Sequence, residues 1–226
     1  ISDVIGDDLS VISSGITFAD NTTFSHALQI IKKYNIQNKT PKNIINTLEM
    51  GKEKKISETP KKPIIQNIVI TNNENCISRM ENVAKKMNYD TSIIRNLNSD
   101  IKTSTKKIMK RLRTSKKSCI IFGGEPTVNV LGTGMGGRNQ ELVLRISNEL
   151  KNNKNQFIIA SIGTDGIDGN TKYAGAIFSN KKLNHVGPYL KNNDSFSFFK
   201  KFGGLIYTGP THANVNDIGL IIKQTF

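Results

Sequence analysis

Apolar residues along the 226-residue chain recur with two different spacings. Spacings of three and four residues, which first occur from Phe24 to Tyr34, are typical of amphipathic helices. The same pattern predicts further helices over 44–49, 75–87, 99–113, 139–150 and 195–202. Short apolar runs bounded by turn residues predict strands over 64–71, 90–95, 118–122, 125–131, 157–162, 174–178 and 205–207. Because predicted helices and strands alternate, the pattern indicates an α/β fold.

A change of domain is predicted near residue 62. Residues 51–63 contain Gly51, Pro60, Pro63 and several lysines, a composition typical of a linker. We therefore expect one domain over 1–62 and a second over 63–226. The chain begins with Ile-Ser-Asp rather than Met, and it begins in what resembles the end of a strand. We expect native sequence to precede it.

Composition limits the class of protein. Hydrophobic residues make up 36% of the chain and charged residues 22%, and no apolar stretch reaches the roughly 20 residues that a membrane helix needs. No leading segment resembles a signal peptide. Cys76 and Cys119 are far apart, which predicts reduced thiols and a cytoplasmic location.

The net charge of +14 raises the question of nucleic acid or another polyanion. Lysine supplies 26 of the 32 basic residues and arginine only 6, whereas phosphate and base recognition favours arginine. Along the densest basic stretch, 102–117, the apolar residues Ile101, Ile108 and Leu112 form one stripe of a helix, and lysine and arginine occupy the rest of its surface. This pattern is typical of a solvated helix face, so we expect no nucleic-acid partner.

A glycine-rich run, 132–137, lies between a predicted strand and the predicted helix that begins near Asn139. Glycines let a backbone approach an anion, and the amides and dipole of a helix start favour negative charge. The run lacks the Lys-Ser/Thr ending of a P-loop, but Gly132, Gly134 and Gly137 match the dinucleotide pattern G-x-G-x-x-G. That pattern calls for an acidic residue about 20 positions later, where this chain has Gln156 and Phe157. A phosphate site is therefore favoured over a dinucleotide site or a ligand-free turn.

Two further polar loops are candidates for chemistry. Asp165 and Asp168 lie on a glycine-containing loop after a predicted buried strand, where they could hold Mg²⁺ or accept a proton. A pair of Asx turns explains the same residues equally well. Residues 208–217 form a turn rich in hydrogen-bonding groups, in which His212 is either a base or, more commonly, a solvated side chain.

Together these motifs resemble the class II glycerate kinases that carry a MOFRL domain, some of which have also been called hydroxypyruvate reductases. The matching runs occur in family order and are residues 2–8, 14–17, 123–125, 136–141, 164–169, 174–176, 208–211 and 214–217. The chain departs from the family pattern at several positions, including Pro126, where threonine is usual, and Asn170, where proline is usual.

The resemblance implies that the chain is similar to the C-terminal half of such a kinase. It would contain the C-terminal part of a Rossmann-like domain followed by a second, MOFRL-type α/β domain. The implied reaction is transfer of the γ-phosphoryl group of ATP to the 2-hydroxyl of D-glycerate with Mg²⁺. Family enzymes also use a lysine in the preceding part, so the fragment by itself is expected to be inactive.

The resemblance also implies site residues. The expected catalytic residues are Arg138, Asp165 and Asp168, with both aspartates as tentative Mg²⁺ ligands. The expected substrate- or phosphate-binding residues are Asp7, Asp8, Ser14, Gly15, Glu125, Gly134, Gly136, Gly137, Asn139, Gln140, Glu141, Thr164, Thr211, Asn214, Asn216 and Asp217.

Three functions stay open at this point. The first is the glycerate kinase, the second an NAD(P)H-dependent hydroxypyruvate reductase, and the third a non-catalytic polyanion binder. The choice between the 2- and 3-hydroxyl, the exact acceptor and the loop that binds each substrate are also open. The oligomeric state is open too, with a homodimer as one option.

Overall fold

The computed structural model describes residues 2, 4, 6–62, 65–112, 115, 117–180 and 185–224. The chain forms two compact units. The smaller unit contains residues 6–69, and the larger contains residues 70–226 together with residues 1–5. Each unit is described by itself below.

The smaller unit contains two α-helices, α1 (Phe24–Lys33) and α2 (Lys42–Lys52), and two short 3-10 turns, Ile12–Gly15 and Gln37–Lys39. The side chain of Thr23 caps α1 by accepting a hydrogen bond from the His26 amide at 3.2 Å. No strand occurs among the described residues of this unit. A Rossmann-like first domain therefore stays a prediction.

The larger unit is built on one six-stranded sheet. Its strands are β1 (Asp90–Ile94), β2 (Ser118–Gly124), β3 (Gln156–Gly163), β4 (Gly175–Ser179), β5 (Leu205–Ile206) and β6 (Asp217–Gln224). Their order across the sheet is β1-β2-β6-β3-β4-β5. Only β1 and β2 are parallel, and every other neighbouring pair is antiparallel. The predicted α/β class is confirmed in this coarse sense, as a mixed sheet with helices.

Among the described residues, five α-helices accompany the sheet: α3 (Asn73–Lys86), α4 (Ile101–Met109), α5 (Arg138–Glu149), α6 (Gly187–Lys191) and α7 (Ser195–Phe202). The larger core cluster joins α4, α5 and α7 to one face of the sheet through side chains such as Leu142, Phe122 and Phe198. A smaller cluster packs α3 against β2 around Ile77 and Ile121. Of the helices that the structure describes, none is long and apolar enough to cross a bilayer.

Two predicted strands are wrong, and one strand was not predicted. Residues 125–131 form no strand, because Pro126 cannot donate to a ladder and Thr127 pairs only in an isolated bridge with Asp100. Residues 65–71 also form no strand, and their apolar side chains, including Ile68 and Ile70, are exposed; Ile64 lies outside the described residues. Strand β6, near the centre of the sheet, was not predicted; it follows the polar turn over 208–217 that the sequence suggested.

Candidate active site

Three strand ends meet at one edge of the sheet in the larger unit. Asp217, the first residue of β6, lies opposite Gly124 at the end of β2 and opposite Gly163 at the end of β3. Glu125 and Thr164 follow those two strand ends directly. Because β6 runs antiparallel to both neighbours, its first residue lies beside their last residues. This register brings predicted site residues from three strands to one edge of the sheet.

Arg138, the first residue of α5, makes a two-point ion pair at this edge. Its Nε and Nη2 donate to the two carboxylate oxygens of Asp217 at 2.5 and 3.0 Å. Its Nη2 also lies 3.3 Å from Glu125 Oε1. Burial by itself would lower the pKa of Arg138, but the hydrogen bond and charge of Asp217, with Glu125 and Asp168, raise it. The guanidinium is therefore charged at every accessible pH and fixed in orientation.

A cavity of about 600 Å³ opens beside this ion pair. Glu125 and Arg138 line its polar side, and Val128 and Val130 line an apolar side. Its volume lies within the range typical of small-molecule sites. No hydrogen bond joins Arg138 Nη1 to another of the described residues, so this nitrogen is available to an anion. The cavity therefore combines a fixed cation with room for a ligand.

Asp168 caps the start of α5 with its side chain. Its Oδ1 accepts hydrogen bonds from the backbone and side-chain nitrogens of Asn139 at 2.9 and 3.2 Å, and its Oδ2 accepts from the Gln140 amide at 2.9 Å. Only 1% of Asp168 is exposed. Both oxygens are thus used to satisfy amides that a helix start leaves without partners.

The buried Asp168 carboxylate predicts a pH dependence of stability. Burial raises its pKa from 3.8 to about 6, although the hydrogen bonds from Gln140 and Asn139 act in the opposite direction. Between these pH values the folded protein binds a proton that the unfolded chain has released. The free energy of unfolding is therefore expected to fall by about 3 kcal/mol at this group as pH rises from about 4 to about 7.

Chemical denaturation of wild type and Asp168→Asn across this range isolates the contribution, because other carboxylates titrate in both proteins. The slope of the free energy of unfolding against pH should be less negative in Asp168→Asn than in wild type. Identical slopes in the two proteins would contradict the assignment.

The amides of residues 131–136, which include most of the glycine-rich run, have partners within the protein. Asn193 Oδ1 accepts from the amides of Leu131 and Gly132 at 2.8 and 3.0 Å. The amides of residues 133–135 donate to residues 192 and 194, and that of Gly136 donates to Asn170 Oδ1 at 3.0 Å. These amides are not available to a phosphate in this conformation. The run is held against the turn before α7 and forms part of the cavity wall instead.

Comparison with known proteins is consistent with this geometry. Residues 118–217 match the model of the MOFRL family, and residues 1–49 match a domain of unknown function called DUF4147. The chain is 38% identical to the D-glycerate 2-kinase of Thermotoga maritima, over 98% of this chain and 55% of that protein. It is 34% identical to the glycerate 2-kinase of Pyrococcus horikoshii, over 98% of this chain and 54% of that protein.

Residues 118–217 are similar to the MOFRL family, whose model matches them. A crystal structure of glycerate kinase from Thermotoga maritima matches the whole chain with a TM-score of 0.86 and 35% identity, and 56% of that chain is covered. The predicted resemblance to glycerate kinases is confirmed. The chain spans about half the length of these curated relatives.

Asp165 and Asp168 do not form a common metal site in the MOFRL segment, residues 118–217. Asp165 Oδ1 accepts from the Ile167 amide at 3.0 Å, and both oxygens of Asp168 cap α5. Among the described residues, no group of three or more metal-ligating side chains is present. The geometry of this pair therefore does not fit the tentative assignment of both as Mg²⁺ ligands.

The remaining predicted site residues of the MOFRL segment outside α5 lie at the edge of the cavity, in the 208–217 turn or directly after β3. Asn216 Nδ2 donates to Glu125 Oε2 at 3.0 Å, which places it at the edge of the cavity. Thr164 Oγ1 donates to the Asn216 carbonyl at 2.7 Å and accepts from the Val215 amide at 2.8 Å. Thr211 Oγ1 donates to the Thr164 carbonyl, and Asn214 Oδ1 accepts from the Asn216 amide. These contacts connect the 208–217 turn to the end of β3.

The polar residues after Arg138 are buried. Asn139 Oδ1 accepts from Ser161 Oγ, and Gln140 Nε2 donates to Thr171 Oγ1 at 3.0 Å. Gln140 Oε1 has no partner among the described residues. Glu141 forms an ion pair with Arg145, with Nη2 and Oε1 2.6 Å apart. These three side chains fix α5 to the sheet and to neighbouring loops.

Four predicted binding residues belong to the smaller unit. Asp8 Oδ1 accepts from the amide and hydroxyl of Ser10, which lowers the pKa of Asp8. Asp7, Ser14 and Gly15 have positive φ angles, of 55°, 59° and 66°. Ser14 and Gly15 line a second cavity, of about 770 Å³, together with other residues of that unit.

The sequence did not single out the residues that hold the glycine-rich run. Asn192, Asn193 and Asp194 lie about 60 positions further along the chain and come from the turn between α6 and α7. Asn170 was noted only as a departure from the family pattern. The one available signal was the concentration of Asn and Asp over 192–194, a composition typical of turns.

Proposed function

We propose that the chain forms part of a kinase that phosphorylates D-glycerate to 2-phosphoglycerate with ATP. The observation that carries this proposal is the cavity beside Arg138, in a segment similar to proteins named D-glycerate 2-kinase and glycerate 2-kinase. Both substrates of such a reaction carry anionic groups. A fixed guanidinium at the edge of a small-molecule cavity suits either one. Turnover is proposed for the full-length protein, because the chain covers only 55% of the first relative.

Arg138 is the catalytic residue best supported by its surroundings. Asp217 and Glu125 hold its Nε and Nη2, and no described residue bonds its Nη1. In phosphoryl transfer, catalysis depends mainly on positioning and on neutralising the charge of the transferring group. A guanidinium whose orientation is fixed before the substrate binds needs no reorganisation during the reaction. Arg138 would therefore contact the transferring phosphoryl group or the acceptor carboxylate.

Asp168 is proposed to act through α5 rather than on a metal ion. Its two oxygens bind the amides of Asn139 and Gln140, so it fixes the turn of helix that carries Arg138. Mg²⁺ would instead reach the site on the phosphates of ATP, where it neutralises their charge. Asp165, whose Oδ1 is bound by only one amide, is the member of the pair that is open to solvent or substrate.

The other predicted residues keep proposed roles of different kinds. Glu125 and Asn216 would orient Arg138 and border the acceptor, whereas Thr164, Thr211 and Asn214 would fix the 208–217 turn. Asp7, Asp8, Ser14 and Gly15 are proposed to bind substrate through the smaller unit. The division into domains at residues 62 and 63 and a cytoplasmic location are also proposals.

A binding titration of the full-length protein separates the kinase from the reductase. We expect Mg-ATP to bind with saturation in calorimetry and NADH not to bind at the same concentrations. The physical reason is that a dinucleotide site of the G-x-G-x-x-G type needs both free glycine-loop amides and an acidic residue about 20 positions later for the ribose. Here the amides of 131–136 are already bonded within the protein, and Gln156 and Phe157 stand where the acidic residue would be. The kinase proposal assigns the phosphates to Arg138 instead. Saturable NADH binding without Mg-ATP binding would overturn the proposal.

A further inference from the structure

Asn193 connects the glycine-rich run to the interior of the protein. It lies in the turn between α6 and α7 with a φ angle of 50°, a conformation that asparagine tolerates better than most residues. Its Oδ1 accepts hydrogen bonds from two successive amides, those of Leu131 and Gly132. One side-chain oxygen thus holds the start of the run.

The other end of the Asn193 amide group contacts a buried carboxylate. Asn193 Nδ2 donates to Glu141 Oε2 at 3.0 Å, and Glu141 Oε1 is paired with Arg145. Only 3% of the Glu141 side chain is exposed. Because a buried carboxylate needs partners for both oxygens, this contact fixes which end of the Asn193 amide faces the run. Glu141 lies in the first turn of α5, three residues after Arg138.

The cavity is bordered by the same elements. Asn193, Glu141, Gly134 and Arg138 all line it. The contact from Glu141 through Asn193 to residues 131 and 132 therefore fixes the start of α5 relative to the segment that contains the lining residues Val130 and Gly134. At Gly132 the chain lies so close to the turn that an added Cβ would be 2.3 Å from the Asn192 carbonyl oxygen.

We propose that Asn193 is a positioning residue for the kinase reaction and that Glu141 acts through it rather than by touching substrate. The inference rests on the proposed function, because it assigns the cavity beside Arg138 to a substrate. If residues 131–134 move, the lining residues Val130 and Gly134 move with them, and the substrate loses contacts in the ground state and in the transition state alike. Such a change raises KM more than it lowers kcat.

A reciprocal exchange of the two side chains tests this pairing. In Asn193→Asp the new carboxylate faces Glu141, so the contact is lost. In Glu141→Gln only one side-chain oxygen is left for two donors, and the charged Arg145, which makes two short contacts, is the stronger of them. The new NH₂ then faces Asn193 Nδ2, so this variant loses the contact as well. In the double variant the amide introduced at position 141 can donate to the carboxylate introduced at position 193. That carboxylate can still accept from the amides of 131 and 132, and the side-chain carbonyl at position 141 can still accept from Arg145. The double variant thus retains every hydrogen bond of the wild type.

The measurements are kcat and KM of the full-length protein for ATP and for D-glycerate, at a temperature below the unfolding transition of every variant. We expect each single variant to raise KM for at least one substrate about tenfold or more, with kcat changed less. The double variant should recover to within about threefold of wild type. Asn96→Asp is the matched control, since Asn96 is exposed, has a φ angle of 53° and should tolerate the change.

Single variants within threefold of wild type, or a double variant no better than the worse single, would overturn the proposal. Hydrogen exchange of the 131 and 132 amides tests the contact without turnover: exchange should be faster in both single variants and restored in the double. Unchanged exchange in the single variants would also overturn it. The proposed function fails separately if the amides of 131 and 132 exchange as expected but wild type does not turn over glycerate. In that case the structural contact stands, and the kinetic role of Asn193 is contradicted together with the proposed function.

Discussion

Replacement of Arg138 with alanine is expected to lower kcat/KM of the full-length protein for D-glycerate at least about 100-fold. That factor corresponds to about 2.7 kcal/mol of lost transition-state stabilisation. The reason is that the variant removes the fixed cation beside the cavity, while Glu125 and Asp217 leave two carboxylates in its place. The summed formal charge of these three groups changes from −1 to −2, so an anionic substrate is repelled more strongly. Steady-state kinetics with both substrates varied measures the loss.

Stability must be separated from catalysis in this experiment, because Asp217 would be left buried without its partner. An unpaired buried charge costs roughly 3–5 kcal/mol. Arg138→Lys keeps the charge but not the two-point geometry, so it should fold better and still lose about tenfold or more in kcat/KM. Arg95→Ala, which removes an exposed ion pair with Glu74, is the matched control and should stay near wild type. A value for Arg138→Ala within about threefold of wild type would show that the role is wrong.

Replacement of Gly137 with alanine is expected to damage both stability and catalysis at the start of α5. A Cβ at this position would lie 2.3 Å from the carboxylate carbon of Asp168. Either the aspartate or the helix start must move, and both movements break the cap on Asn139 and Gln140. We expect a destabilisation of about 2 kcal/mol or more and a loss of at least about 100-fold in kcat/KM, since Arg138 is the next residue.

Gly187→Ala provides the control for this substitution. Nothing lies within 4 Å of a Cβ at Gly187, so the same chemical change is made without a clash. Thermal unfolding and kcat/KM should both stay close to wild type in this variant. If Gly137→Ala behaved like Gly187→Ala in both measurements, the packing of Asp168 against the helix start would not have the importance assigned to it.

The elements with strong local patterns could be predicted from the sequence. The spacing of its apolar residues predicts helix α5. Short apolar runs, each with turn-forming residues on at least one side, predict β2 and β3. The loop that begins at Thr164 was correctly placed after a buried strand, since β3 ends at Gly163, whereas Glu125 was expected to begin a strand and instead follows β2. Asp217 lies at the same edge of the sheet, although it begins a strand that was not predicted.

The long-range pairings could not be predicted. Strand β6 pairs with β2 and β3, which precede it by many residues, and no local pattern specifies that partner or its antiparallel direction. Gly219 also interrupts the apolar run of β6, which weakens its local strand pattern. The glycine-rich run suggested free amides because its partners, Asn192, Asn193 and Asp194, are distant in sequence. The cap that Asp168 provides for α5 could not be predicted for the same reason, because Asn139 and Gln140 are distant from it in sequence. An acidic residue on a glycine-containing loop is also typical of a metal ligand.

The proposal that the Arg138 cavity belongs to a glycerate kinase is tested most directly by turnover. The full-length protein is incubated with D-glycerate and Mg-ATP, ADP release is coupled to an optical signal, and NMR of the product locates the phosphate. The predicted result is ADP release that depends on glycerate, is abolished in Arg138→Ala and yields 2-phosphoglycerate. Absence of glycerate-dependent ADP release, or equal turnover by wild type and Arg138→Ala, would contradict the account.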